Sequence, residues 1–261
     1  MRSEPIQSKA CPVDAESFAD FLSSVFHSDN PLFDCNLVGL LQQIPTFSNC
    51  EMARALRQLN TLKCADESGL VAEMLKQSSQ TLQDTLVAYF NDCLMQGKFD
   101  ESWHNTIFRM LPKSGNLMMP SNWRPIAILP VLYKLFARMV YNRISPTLLA
   151  AQSIEQCAFT PGVRLEDAMC TVEVAIQHSS EFRKPLWLLS MDMRKAFDTI
   201  DHESLLHALQ HQGIANEYIA LIASLYKSQN ASVNGSREFS VGRGVKQGGV
   251  WMLHFSVSKQ T

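Results

Sequence analysis

Residues 188–198, LLSMDMRKAFD, form the most informative stretch of this chain. An apolar run from Pro185 to Met191 has the composition of a buried strand and leads directly to one carboxylate, Asp192. A carboxylate at a strand end is rigidly held and offers the acceptor oxygens that Mg²⁺ prefers, and two-metal phosphoryl-transfer sites need such a ligand. Because buried strands also end in Asp for turn formation alone, the stretch needs support from other segments.

Three further segments supply that support. They are residues 111–115 (LPKSG), 122–126 (NWRPI) and 243–248 (RGVKQG). In this order, the four segments resemble the reverse transcriptase domain of non-LTR (LINE-type) retrotransposons. That family shows a lysine in a turn, then W/Y-R-P-I, then D-x-x-K-A-F-D, then R-G-x-x-Q-G. Each motif alone has modest specificity, but the shared order of all four predicts membership, and the resemblance runs from about Leu59 to Gly248.

The resemblance implies an α+β chain with an incomplete right-hand polymerase fold, comprising fingers and the first part of a palm, with the thumb absent. We expect an N-terminal extension over 1–58, a fingers-like region over 59–184, a partial palm over 185–249 and an aberrant tail over 250–261. Residues 1–50 lack sustained periodicity, and the tail departs from the family pattern. We therefore expect these two regions to be the least packed.

The resemblance also assigns roles around the first motif. Asp192 would ligate both catalytic Mg²⁺ ions, and the backbone carbonyl of Met193 would assist one of them. Phe197 occupies the position of an aromatic steric gate that excludes a 2′-hydroxyl; the alternative is a core phenylalanine. Asp198 and Asp201 lie beyond the strand end, and we interpret them as structural, with Asp201 capping the next helix.

The other three motifs would contact the substrates. Lys113 and Arg124 match fingers residues that hold the incoming triphosphate, because Arg grips phosphate bidentately and Lys acts as a point charge. Gln247 and Gly248 match a turn that packs against the nucleotide and template. The implied partners are an RNA template, a DNA primer and deoxynucleotide triphosphates. We expect these side chains to share one cleft with Asp192, and Arg243 and Lys246 to add positive charge beside Gln247.

Two departures from the family pattern limit this assignment. Residues 157–162 (CAFTPG) stand where the family has G-F-R-x-G, so Thr160 replaces the arginine. The family continues beyond R-G-x-x-Q-G to a hairpin with paired aspartates, and residues 1–261 contain no adjacent pair of Asp. One carboxylate cannot hold two Mg²⁺ ions that need two or three. We therefore expect a truncated, inactive polymerase; the alternatives are a non-catalytic nucleic-acid-binding remnant and an interaction scaffold that does not use Lys113 or Arg124.

Charge is distributed unevenly along the chain. The formal net charge is −2, yet residues 102–154 contain no acid. Their bases are Arg109, Lys113, Arg124, Lys134, Arg138 and Arg143. A local positive field suits triphosphate and template backbone, although a basic stretch is more commonly a solvated helix face.

Composition excludes several other classes. The hydrophobic content is 46% and no window approaches 18 apolar residues, so we predict neither a membrane-spanning helix nor a signal peptide. Seven scattered cysteines without a CxxC pair argue against a disulfide framework and a zinc site. We expect an intracellular protein, with nucleus and cytoplasm both open.

Periodicity and capping signals predict the local elements. We expect helices over 15–26, 51–60, 68–96, 132–144, 165–179, 202–212 and 216–227. We expect strands over 106–111, 124–129 and 185–191, and a hairpin over 231–239 that turns at Asn234-Gly235.

Overall fold

A computed structural model describes residues 11–29, 38–158, 160, 162–193 and 195–246. The helices within them are α1 (Ala15–Phe26), α2 (Val38–Leu41), α3 (Asn49–Gln58), α4 (Ala72–Lys76), α5 (Gln80–Gln96), α6 (Val131–Ala150), α7 (Leu165–Glu181), α8 (His202–His211) and α9 (Asn216–Tyr226). The strands are β1 (Asn105–Pro112), β2 (Trp123–Ile128), β3 (Asn230–Val233) and β4 (Phe239–Ser240). Short 3₁₀ turns lie at Glu101–Trp103 and Pro120–Asn122. The mixed α and β composition agrees with the predicted class.

One sheet with the strand order β2-β1-β3-β4 organises the described chain. β1 pairs with β2 antiparallel, with Phe108 opposite Ala127, and β1 pairs with β3 parallel, with Phe108 opposite Val233. Residues opposite each other share a face of the sheet, so these three buried side chains form its inner surface. Because parallel neighbours need a long crossover, the helices between β1 and β3 lie within that connection.

Helix α6 is the centre of the core. Leu135, Phe136 and Met139 on it are fully buried. The Phe136 ring meets the rings of Phe90 and Trp103 at centroid distances of 5.3 and 5.2 Å. Each such side chain contributes about 1.5–3 kcal/mol through removal of apolar area from water.

Helix α1 packs into this core, which contradicts the expected loose packing of residues 1–50 where they are described. Its predicted bounds of 15–26 are confirmed, and Asp14 caps it by accepting a hydrogen bond from Ser17 N at 2.7 Å. Phe18 and Leu22 are buried, and the Phe18 ring meets Trp123 edge-on at 5.4 Å. Local sequence indicated the helix correctly, but its partner lies about a hundred residues away along the chain, beyond any local pattern. The tail after Gly249 lies outside the described residues.

The predicted helix over 68–96 is two helices. α4 and α5 are separated at residues 77–79, and the Ser79 hydroxyl accepts from Leu82 N as the N-cap of α5. Serine favours such capping geometry over a helix interior because its side chain competes for backbone hydrogen bonds. The end at Gly97 is confirmed, with a left-handed φ of 64°.

The predicted strand over 185–191 is wrong. The segment is irregular, and Trp187 and Leu189 are 93% and 83% exposed. A strand is stabilised by its hydrogen-bonded neighbours, and none of the four described strands pairs with this segment. The apolar run is present, but within the described residues it has no sheet to join.

No helix in the described ranges is long and apolar enough to cross a membrane. A single cluster of buried side chains includes residues of 11–29, the fingers-like region and the residues after Thr199. The boundaries at 58, 184 and 249 stay a prediction.

Candidate nucleic-acid interface

The β1–β2 hairpin brings Lys113 and Arg124 together. Arg124 pairs with Leu111, and Lys113 N donates to Asn122 O at 2.8 Å, which extends the ladder by one position. Side chains alternate along a strand, so Arg109, Leu111, Lys113 and Arg124 share one face. All four are exposed, and Arg124 lies diagonally between Arg109 and Lys113. We call this surface the outer face of the hairpin.

The loop that joins the two strands is held by its own hydrogen bonds. Trp123 Nε1 donates to Leu117 O at 2.9 Å, and Asn122 Nδ2 donates to Asn116 O at 2.8 Å. Gly115 has a φ of +111°, and a Cβ there would lie 3.2 Å from Asn122 Nδ2. This loop geometry fixes the backbone at Lys113, so the lysine side chain extends from a backbone of defined position.

The three bases of α6 do not belong to the outer face. Arg143 donates from Nε to Glu51 Oε1 at 2.6 Å and from Nη2 to Thr46 O at 2.9 Å, and its guanidinium lies 4.3 Å from the Phe47 ring centre. Lys134 and Arg138 are half-buried, and burial lowers the pKa of both. The acid-free stretch therefore divides into three outward cations on the hairpin and three inward cations on the helix.

Asp192 and Met193 lie in the exposed irregular segment that follows α7. No sheet register holds this carboxylate, contrary to the expected strand end. Across the described ranges, no three His, Cys, Asp or Glu side chains approach one another as a metal site requires. The arrangement of these residues does not fit a two-Mg²⁺ centre, and the shared cleft with Asp192 stays a prediction.

Phe197 lies in a turn and packs, partly buried, against the core. Its backbone carbonyl accepts from Val245 N at 2.9 Å. These contacts suit the alternative of a core phenylalanine, while the steric-gate role is untested. Asp201 caps α8 by accepting from Ser204 N at 3.3 Å, as predicted, and Asp198 is buried.

Gln247 and Gly248 lie outside the described residues, but the start of their motif is described. Arg243 Nε donates to Val25 O at 2.6 Å. Lys246 is buried, with Nζ donating to Trp103 O at 2.6 Å and lying 4.7 Å from the Tyr133 ring centre, and burial lowers its pKa to about 7. Arg243 is partly buried and Lys246 is buried, and both bond to backbone carbonyls. Because Gln247 lies outside the described residues, the expectation that they supply charge beside it stays a prediction.

Comparisons with known proteins decide the family. The family model described as "Reverse transcriptase (RNA-dependent DNA polymerase)" matches residues 111–251, more than half of the chain. The chain belongs to the reverse transcriptase family. This confirms the resemblance inferred from the four motifs.

Individual relatives of this chain come from transposable elements. The chain is 30% identical over 160 residues to a Pol polyprotein from the type-1 retrotransposable element R2 of Popillia japonica, covering 59% of the chain and 22% of the relative. It is 27% identical over 202 residues to the transposon TX1 149 kDa protein of Xenopus laevis, covering 76% and 15%. It is 27% identical over 224 residues to a probable RNA-directed DNA polymerase from transposon X-element of Drosophila melanogaster, covering 79% and 24%. The chain thus spans about a fifth of the length of these relatives.

Helix α1, which lies before the matched range of the reverse transcriptase family, holds the start of the R-G-x-x-Q-G motif. Phe26 O accepts from Gly242 N at 2.9 Å and from Arg243 N at 3.2 Å. At Gly244, where φ is +90°, a Cβ would lie 2.9 Å from both Asp198 O and the Phe26 ring. Sequence reasoning missed this contact; the amphipathic pattern of α1 indicated a buried face but not its partner.

His202 is a second residue that sequence reasoning missed. It is buried, and burial lowers its pKa, so the neutral ring donates from Nε2 to Gly244 O at 2.9 Å. Its ring packs edge-on against Tyr226 at 4.7 Å. The histidine thereby holds the same turn at Gly244, next to the residues that α1 holds.

Thr160, which replaces the family arginine, is engaged locally. Its hydroxyl donates to Gln156 O at 2.6 Å and accepts from Gln152 Nε2 at 2.7 Å. These bonds close a small loop after α6. Thr160 therefore does not offer the cationic contact expected of an arginine in this reverse transcriptase motif.

Proposed function

We propose that this chain binds the phosphates of single-stranded nucleic acid through the outer face of the hairpin, and that the 261-residue polypeptide does not extend primers. The observation that supports binding is the grouping of Arg109, Lys113 and Arg124 on one exposed face. In the parent polymerase, the RNA template, DNA primer and deoxynucleotide triphosphates would be the corresponding partners.

The spacing of the three cations suits a phosphate chain. Alternate residues of a strand are roughly 7 Å apart, so Arg124 divides the distance between Arg109 and Lys113 into two comparable steps. Two arginines can each grip a phosphate bidentately, and the lysine adds a compact charge. Leu111 opposite Arg124 is exposed and offers an apolar surface to a sugar or base.

The proposed lack of polymerase activity follows from the carboxylates. Residues 1–261 carry no adjacent pair of aspartates, and Asp192 lies on an exposed irregular segment. Metal charge and positioning provide most of the barrier lowering in phosphoryl transfer. Roles for Asp192, the Met193 carbonyl, Phe197, Gln247 and Gly248 in a longer polymerase, with Mg²⁺ bound, remain part of this proposal.

Fluorescence anisotropy with a labelled single-stranded RNA tests binding as a function of salt. The variant R109Q/K113Q/R124Q should bind at least about tenfold more weakly, and its salt slope should fall by about 2 because each phosphate contact on a single strand contributes about 0.7. The matched control R54Q/R57Q/K98Q removes two arginines and one lysine that are exposed elsewhere. It should keep the wild-type slope.

Equal losses in the two triple variants would show that binding follows net charge and not the hairpin. Undiminished binding by R109Q/K113Q/R124Q would overturn the proposal, because the RNA would then bind another surface, and a wild-type chain that does not bind RNA would favour the interaction scaffold. Circular dichroism of both variants controls for folding, because all six side chains are exposed.

A primer-extension assay with Mg²⁺ and deoxynucleotides tests the second half of the proposal. The wild-type polypeptide should give the same background as Asp192→Ala. Extension by the wild-type chain that Asp192→Ala abolishes would overturn the proposal, because another metal ligand would then have to assemble with Asp192.

A further inference from the structure

The region from α7 to Met193 exposes an unusual amount of apolar surface, and we call it the outer arm. None of the residues of α7 whose burial is described is buried. Leu165, Met169, Val172 and Ile176 on this helix are 46–70% exposed. The segment after the helix exposes Phe182, Leu186, Trp187, Leu188, Leu189, Met191 and Met193.

The apolar side chains of α7 have the spacing of a two-helix seam. Leu165, Met169, Val172 and Ile176 follow one another at steps of four, three and four residues. At 3.6 residues per turn they fall within about 60° of one line along the helix. A repeat of four and three is the pattern that places side chains between those of a second, facing helix.

The exposed area matches what a stable dimer requires. A large aromatic side chain has an area of about 150–250 Å², so these side chains together expose on the order of 1,000 Å². The largest apolar patch on a typical monomer is about 300–600 Å², and one partner of a stable complex buries about 800 Å². The summed exposed area of the apolar side chains of the outer arm is larger than a typical patch and comparable with one side of a stable interface.

The charges on the outer arm are complementary to themselves. Glu166 and Asp167 lie in the first turn of α7 beside Arg164, and Arg183 and Lys184 follow its last turn beside Glu181, so the two ends are net negative and net positive. Asp167 lies about 200° around the helix from Leu165 and faces away from the seam, so Glu166 is the acid that can meet the partner. Two copies of α7 packed antiparallel would set the acids of each against the bases of the other and oppose the two helix dipoles. Glu173 beside Val172 would face its own copy near the symmetry axis, which limits the affinity.

We propose that a second copy of this chain covers the outer arm, with the two α7 helices antiparallel across a two-fold axis. Such an interface is isologous, which means that the apolar side chains of α7 in one copy pack against the same side chains in the other copy. The segment 186–193 would be covered in the same contact. This inference rests on α7 and the segment after it and is independent of the proposed binding of nucleic acid.

Sedimentation equilibrium of the 261-residue chain measures the dimer dissociation constant. Val172→Lys places a charge in the seam and should raise this constant about tenfold or more, since burying an unpaired ammonium is costly. Val174→Lys is the matched control, because Val174 is 56% exposed and lies about 200° around the helix from Val172. It should change the constant by less than about twofold. Both positions are exposed, so thermal melts should confirm that both variants fold.

A charge swap separates self-association from binding of another partner. R183E/K184E should weaken the dimer, and E166K should weaken it too. Mixing these two variants should restore association as a heterodimer, because both ends of α7 are then net positive in one variant and net negative in the other. A monomer at all concentrations, equal loss in Val172→Lys and Val174→Lys, or failure of the mixture to associate would each overturn the proposal. The last result, with a dimer in the wild type, would mean that another face joins the copies.

Discussion

The β1–β2 hairpin and the outer arm have similar apolar sequences but differ in burial. Phe108 of the hairpin is buried against Ala127 and Val233, whereas Leu188 of the arm is 61% exposed. Both segments follow a helix and lead to charged residues. The difference is the neighbour, because β1 has a paired strand on each side and the arm has none among the described strands. An apolar pattern specifies that a segment must be covered, but it does not specify by what.

The largest difference between the two regions should appear in a pair of aromatic truncations. Phe136→Ala in the core should lower the free energy of unfolding by about 3–5 kcal/mol, because the fully buried ring leaves a cavity among other rings. Trp187→Ala in the arm should lower it by less than about 0.5 kcal/mol. Urea denaturation at a protein concentration where the chain is monomeric measures both. A large loss from Trp187→Ala under those conditions would mean that the arm packs within one molecule.

A pair of glycine substitutions tests the contact between α1 and the R-G-x-x-Q-G turn. Gly244→Ala combines a positive φ with a Cβ 2.9 Å from Asp198 O and from the Phe26 ring, so we expect a loss of about 2–4 kcal/mol. Gly235→Ala has a positive φ with open space around it, and its loss should be about 1 kcal/mol. Chemical denaturation of the two variants gives the comparison. Equal losses would show that α1 does not press on Gly244.

The third test concerns the pH dependence from Lys246, an effect that is spread over several pH units. Burial lowers the pKa of its amine from 10.5 to about 7, so between these values the unfolded chain binds a proton that the folded chain lacks. The free energy of unfolding should therefore rise with pH across this window. As the pH drops toward 7, the buried amine destabilises the folded chain increasingly, because the unfolded chain gains a proton that the folded chain lacks. Lys246→Met should flatten this rise, measured by unfolding free energies at several pH values in the lower half of the window. An unchanged slope would assign the rise to other groups, with Lys134 as a candidate because burial also lowers the pKa of its amine from 10.5.

Features set by neighbouring residues could be predicted from the sequence. The bounds of α1, the cap at Asp201 and the pairing of the LPK and WRPI segments follow from local signals. The Asn234-Gly235 turn has φ values of 45° and 85°, as its residue types predict. Helix α9 begins at Asn216, as expected, and ends at Tyr226, one residue before the predicted end.

Features set by distant partners could not be predicted. The burial of Lys246 depends on Trp103 and Tyr133, and the packing of α1 depends on residues of β2 and of the turn at 242–244. The absence of a strand at 185–191 depends on which strands are available as neighbours. Within the candidate site, order and residue type placed Lys113 and Arg124 together, but they gave no sign that Arg109 shares the same face.

The bond from Arg243 to Val25 also has a consequence for synthesis on the ribosome. The two residues are 218 positions apart, so α1 emerges long before the turn at 242–244 that it contacts. At about 5–20 residues per second, the interval is roughly 10–40 s. Once Trp123 has been made, Phe18 can pack against it, but the carbonyls of Val25 and Phe26 still lack their native donors. The contact between the end of α1 and the turn is therefore among the last to form.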